Sequence, residues 1–376
     1  MLSVLHNLFA WAPLGLPAFI FVVTFVVFFH ELGHFLVARA CGVSIETFSI
    51  GFGGEIFGWM DKRGTRWKIC WLPVGGYVKF LGDEDAASTP DRERIAHMNT
   101  TERMSAFPLK PLWQRALVVL AGPLANFVLA IIVFTFLYAA FGGKALSTYI
   151  GAVTPNSPAA VAGIKPGDKI AAFNGKPVRL FEELHELIDR NKGKAASITI
   201  ERNGHPMTLS ITPRVIPDHD IFGAPSPHVG IGVGRGDDTP ENTVYLPIPL
   251  AEAPLAAVGQ SWFIVDTSMT YLWRIVSRRA DSSQLTSVVG IAGVSQKAAS
   301  HGFYDLISLV AFLSVSLGLI NLFPIPPLDG GLLLYYGCEA VLGRPLKVRT
   351  QDVGFRLGLA LVLVLFIFAT WNDLVR

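Results

Sequence analysis

The sequence predicts a polytopic α-helical membrane protein of four spans, with an α+β domain inserted between the second and the third. Three observations predict it. Charged residues fill only 16% of the 376 positions and hydrophobic ones 51%, where a soluble domain carries about 25% charged residues; mean hydropathy is +0.45. Four apolar stretches approach the roughly 20 residues that cross a hydrocarbon core. One segment between them, 148–215, changes to short alternating runs punctuated by Gly-Asp and Asn-Gly turns.

The formal net charge is +2 and no basic stripe with interleaved aromatics occurs, so the electrostatic footprint of nucleic-acid binding is missing. Cys41, Cys70 and Cys338 are too few and too scattered for a disulfide framework, and they lack C-x-x-C spacing. Residues 1–14 hold no Lys or Arg, so the N-terminus does not read as a cleaved signal peptide.

The spans are expected over 14–38, 117–141, 306–323 and 357–371. Lys and Arg crowd the segment 62–115, and Arg344, Lys347 and Arg349 follow span three. By the positive-inside rule, loops 40–115 and 340–355 are expected in the cytoplasm and the inserted domain outside it. The expected organisation is a membrane core in two parts, 1–141 and 304–376, an inserted domain over 142–216, and a linker with a membrane-surface helix over 217–303. Residues 216–240 are rich in Pro, Gly and Asp, and 250–280 set Trp262, Phe263, Tyr271 and Trp273 among small and polar residues. Within the inserted domain, 197–202, Asn203-Gly204 and 207–211 read as a β-hairpin with a tight turn.

His30-Glu31-Leu32-Gly33-His34 interrupts span one. On a helix His30 and His34 project from one face. Two such imidazoles can hold one zinc ion, with Glu31 as the base beside the bound water, the logic of H-E-x-x-H. Helix-stabilising or interfacial polar residues are the bland alternative, but two His and a Glu are costly inside an apolar span. A catalytic zinc needs a third protein ligand and an open position. Span three ends in Asn321-Leu322-Phe323-Pro324-Ile325-Pro326-Pro327-Leu328-Asp329-Gly330-Gly331. Its prolines break the helix, and unpaired backbone at membrane depth survives only where it is buried in protein or lines a wet cavity. Asp329 is the candidate third ligand; taken alone, the run reads equally as an ordinary turn after a helix.

Together, H-E-x-x-H in span one and N-x-x-P-x-P-x-L-D-G after span three resemble the site-2 protease family, more closely its bacterial regulator-of-sigma-E type. The pairing is more specific than either motif, and the resemblance spans nearly the whole chain. It implies an intramembrane zinc metalloprotease of the bacterial inner membrane, with one Zn2+ held by His30, His34 and Asp329, Glu31 activating water and Asn321 engaging the substrate backbone. A capping or interhelical amide is the other reading of Asn321. The implied substrates are single-span membrane proteins, such as anti-sigma factors in regulated intramembrane proteolysis, or remnant signal peptides. Gly122-Pro123-Leu124-Ala125-Asn126 resembles the family's span-two motif and reads as structural, with Asn126 packing toward the site. Leu332 stands where the family has a His after the paired glycines, and Val289-Gly290-Ile291-Ala292-Gly293 where it has Gly-Pro before span three. Relatives often carry two tandem soluble domains; this chain has room for one.

A helix hides its peptide bonds, so an unwound substrate must be held, and an exposed strand edge can hold it. Segment 44–80 offers one, with Gly51 and Gly53 before a turn and Trp67, Ile69 and Trp71 alternating onto one face after it. It resembles the family's membrane-associated β-hairpin, which implies that these five residues contact substrate. A phosphate loop is excluded because no Gly-Lys-Ser/Thr follows the glycines. The inserted domain resembles a PDZ domain through Ser157-Pro158-Ala159-Ala160, Ala162-Gly163-Ile164, Pro166-Gly167-Asp168-Lys169-Ile170 and Asn174-Gly175-Lys176-Pro177-Val178. Its groove is expected between a strand near 149–152 and a helix over 180–190, taking peptide C-termini or extended segments. The resemblance further implies a filter against substrates with bulky extracytoplasmic parts. The competing classes are a catalytically silent, PDZ-bearing membrane scaffold and a metal transporter. Every catalytic position is intact, and a transporter's internal repeats are missing.

Overall fold

The computed structural model describes residues 2–84, 90–216, 228–236, 242–277 and 287–375. They form two compact units: Met1–Phe136 with Pro254–Ser268 and Ser283–Arg376, and Leu137–Ala253 with Met269–Ser282.

The first unit opens with α1 (Leu2–Ala40). An antiparallel hairpin follows, β1 (Ile45–Met60) and β2 (Arg66–Phe80), whose register slips through several bulges. Asp61 closes its turn: the carboxylate accepts from the backbone N–H of Arg63 and Thr65 and pairs with Arg39 at the end of α1. Although partial burial raises its pKa, these bonds hold Asp61 below the usual carboxylate range. Phe48, Val78 and Phe80 are buried together with Phe35 of α1. Phe57, Trp59, Trp71 and Leu72 are exposed, apolar surface that suits lipid better than water. Short capped helices α2 (Arg92–His97) and α3 (Thr100–Ser105) lead to α4 (Leu112–Ala140), which holds Pro123 in its interior.

The second unit contains β3 (Gly143–Leu146), β4 (Ile150–Val153), α5 (Pro158–Ala162), β5 (Lys169–Phe173), β6 (Lys176–Pro177), α6 (Phe181–Asn191), β7 (Ala196–Arg202), β8 (His205–Ile211), β9 (Arg214–Ile216), β10 (His228–Gly230), β11 (Val233–Arg235) and β12 (Thr243–Leu246). A sheet of order β6-β5-β7-β8 is joined by antiparallel pairs β4–β11, β9–β10 and β3–β12. The β7–β8 hairpin turns on Asn203 and Gly204, both at positive φ, the tight turn expected for Asn-Gly. Ile170, Phe173, Leu184, Ile198 and Ile200 fill the core beneath α6. Buried Asp168 accepts from Arg202 and from the Lys165 N–H, each at 2.7 Å, and the Arg202 guanidinium holds its carboxyl below the ordinary range.

The chain then returns through α7 (Ala253–Val276), with Trp262, Phe263 and Trp273 exposed, α8 (Val288–His301), α9 (Phe303–Asn321), α10 (Asp329–Leu342) and α11 (Val348–Val375). Four stretches are long and apolar enough to cross a membrane: Leu14–Ala40, Leu112–Ala140, Phe303–Asn321 and Val348–Leu374.

Three expectations are corrected. The stretch read as a linker over 216–240 supplies β10 and β11, and Ile231 between them enters the core; residues 217–227 and 237–240 of that stretch lie outside the described residues. Because β11 covers β4, the groove of this unit is not lined by 149–152. It is a cavity of about 190 Å³ between Phe181, Leu184, His185 and Ile188 of α6 and the backbone of 230–234. The part of the linker at 288–301 is a helix, α8, packed on α1 and α9; its small and β-branched residues make a close-packing surface rather than an amphipathic stripe. Beyond these, α10 occupies 329–342 of the stretch expected as a loop between spans three and four.

Candidate metal centre

α1 carries His30, Glu31 and His34 into the interior, and α10 presents Asp329 as its first residue. Prolines 324, 326 and 327 separate α9 from α10. Gly330 and Gly331 then let the first turn of α10 lie on the backbone of 322–326, which a Cβ at either position would overlap. His30 Nε2 and His34 Nε2 are 3.2 Å apart. Asp329 Oδ2 is 3.2 Å from the first and 3.5 Å from the second. A tetrahedral metal with bonds of about 2.0–2.1 Å spaces its ligands by about 3.3 Å, so the triangle has the size of one face of such a site.

The donor chemistry agrees. His34 Nδ1 lies 2.8 Å from Val118 O. A carbonyl only accepts, so Nδ1 carries the ring proton and Nε2 presents a lone pair. Asp329 Oδ2 is buried, and among the described residues no donor satisfies it. Lone pairs converging on one point repel one another, and a metal cation among them removes that repulsion.

His30 Nδ1 lies 3.1 Å from Asn126 Nδ2, and Ser314 Oγ lies 3.4 Å from Asn126 Oδ1. Ligation through Nε2 leaves the ring proton on Nδ1, which an NH2 group cannot accept. A half-turn of the amide puts Oδ1 on His30 and Nδ2 on Ser314, while Ser314 Oγ still donates to Asn126 O at 2.9 Å. Asn126 thus packs against His30, toward the site, as expected of the span-two motif. Asn126→Asp, which keeps the acceptor, is expected to retain the metal; Asn126→Leu is expected to weaken it by about 10- to 100-fold, as read by competition with a chelator.

The cluster opens into a cavity of about 270 Å³ lined also by Glu31, Asn321, Phe52 and the β2 residues Gly75, Gly76, Tyr77 and Val78. Strand β2 crosses directly over Glu31: a Cβ on Gly76 would stand 3.3 Å from Glu31 Cγ. Asn321, the last residue of α9, places Nδ2 3.4 Å from His30 Nε2. His30, Glu31, His34, Asn321 and Asp329 thus meet in one place. The five hairpin residues expected at the substrate do not line this cavity. Gly51 is buried against Leu72 O, and Gly53 stands open. Trp67 stacks on Phe48 and Trp59 at 4.3 and 5.7 Å, while Ile69 and Trp71 are exposed. The stretch that lines the cavity carries a sequence signal in its Gly75-Gly76 pair, since glycine inside a strand marks a close approach.

The Peptidase family M50 profile matches residues 18–365. The chain belongs to peptidase family M50. This M50 chain is 40% identical over 384 residues to Metalloprotease MmpA of Caulobacter vibrioides, an alignment covering 96% of the chain and 95% of that relative. It is 41% identical over 363 residues to a Rhizobium meliloti protein whose name places it provisionally among zinc metalloproteases, at 96% of each. The solved PDZ domain of the SdrC-like protein from Listeria monocytogenes is 25% identical to it, covers 24% of this chain and 90% of its own, and has a TM-score of 0.20.

Proposed function

We propose that the chain cuts peptide bonds within the transmembrane segments of single-span membrane proteins, such as anti-sigma factors or remnant signal peptides. It is a zinc metalloprotease of the site-2 type and a membrane protein. The observation that carries the finer reading is the triangle of lone-pair atoms beside Glu31, set in an otherwise apolar span. His30, His34 and Asp329 would hold the zinc, which when bound would supply Lewis acidity at the cluster. Glu31 takes the water's proton and passes it to the departing amine nitrogen. Asn321, across the cavity, hydrogen-bonds the substrate backbone. Strand β2 flanks the unwound segment and offers its edge to it.

The charges of 40–115 and 340–355 support a cytoplasmic location for those loops, with the inserted unit outside a bacterial inner membrane. That unit carries the PDZ-like motif, and its groove between α6 and 230–234 takes peptide C-termini or extended segments. Purified protein incubated with a single-span reporter is expected to release products whose masses place the cut inside the apolar span. A cut confined to flanking soluble sequence overturns the reading.

A further inference from the structure

A second cavity, of about 220 Å³, opens between α1, α8 and α9. Its walls are almost wholly hydrocarbon, including Phe19, Val23, Val288 and Ile291. The hydroxyl of Ser316, its one polar side chain, is already spent on Phe312 O at 3.0 Å. The cavity therefore offers no free hydrogen-bond donor, and a dry apolar cavity of about 150 Å³ already holds a benzene ring. Two residues, Val27 and Leu317, line both this cavity and the zinc cavity. Val27 stands one turn before Glu31, and Leu317 one turn before Asn321. A turn rises about 5.4 Å and an extended chain advances about 3.3 Å per residue. The two cavities thus share a wall, one helical turn from Glu31 and one from Asn321. The α8 wall of the second cavity is pinned in place: Asp373 accepts from the Ser287 N–H and Oγ at 2.6 Å each and from the Gly290 N–H at 3.1 Å. Val288 and Ile291 flank that pinned turn.

We propose that this cavity is a specificity subsite that takes one large apolar side chain of the substrate at a position flanking the cut. The enzyme then selects spans carrying Leu, Phe or a similar side chain there over spans carrying Ala or Gly. The inference rests on the intramembrane-protease reading above.

The test uses full-length protein and single-span reporters with Ala, Leu or Phe in turn on each side of the cleaved bond. For one of the two positions, wild type is expected to favour Leu or Phe over Ala by at least about tenfold in kcat/KM, since apolar pockets discriminate by about 10- to 200-fold. Ile291→Trp and Val23→Trp, which fill the cavity, are expected to bring that ratio to one or below. Val288→Ala, which enlarges it without crowding the fold, is expected to move the optimum from Leu toward Phe. A wild type without preference, or variants that lower every reporter by the same factor as a displaced lipid tail would, overturns the subsite alone. A wild type that cuts no reporter overturns the protease reading and the subsite with it.

Discussion

Glu31→Gln is expected to lower kcat for reporter cleavage by about 10³-fold or more, with zinc still bound at one per chain. Loss of a positioned general base costs about 10²- to 10⁴-fold, and here the base also returns the proton to the leaving nitrogen. Gln matches Glu in size, so the tight approach of β2 at Gly76 is undisturbed. The three atoms that face one another belong to His30, His34 and Asp329, so the ligand set survives the change. A loss confined to kcat, with KM little altered, marks an interaction made only in the transition state. The measurement pairs kinetics with metal content from elemental analysis. Equal rates for wild type and Glu31→Gln on several reporters overturn the assignment of Glu31 as the base, and with it the family expectation carried onto this residue.

The candidate metal site was largely readable because its information is local. His30 and His34 share a face by helical period alone. Asp329 was different: from its own segment it stayed an ordinary turn or a ligand, and only the pairing of two distant motifs favoured the ligand. The hairpin's extent was readable from its turn and alternation, but which of its residues line the cavity was not. Alternation assumes an unbroken register, whereas between Ile50 and Phe57 the partners slip through Ile69, Leu72, Cys70 and Ile69 again. Trp67 is thereby committed to an aromatic stack, and the cavity falls to Gly75–Val78. Strands β10 and β11 left no period to detect, being three residues each with glycine at or near every other position, and β11 pairs with β4 far away in sequence. The Val118 carbonyl that fixes the His34 tautomer is backbone and has no signature in any sequence.

Gly122→Ala is expected to abolish high-affinity zinc binding, by at least about 100-fold, although it adds one methyl group on a different helix. A Cβ at Gly122 falls on the His34 imidazole, and the helices have nowhere to retreat. On α1, Gly33 already meets the Ala121 carbonyl and the Ala125 Cβ with no room for a side chain, so α1 and α4 are at their closest approach there, as small residues permit between membrane helices. The ring's own freedom is limited by its 2.8 Å bond to Val118 O. Relief must come from turning the imidazole, which breaks that bond and takes Nε2 away from His30 and Asp329. Overpacking of this kind costs about 1–3 kcal/mol in fold stability, whereas displacing a ligand costs more than the about 10- to 100-fold of affinity that a lost outer partner does. Gly293→Ala and Gly337→Ala are the matched controls, since a Cβ at either meets nothing within 4 Å, and both are expected to bind zinc as wild type does. Chelator competition on the three variants separates the possibilities. Loss in Gly122→Ala alone places the contact at His34, and normal affinity in that variant means that α4 does not lie against the ligand face of α1.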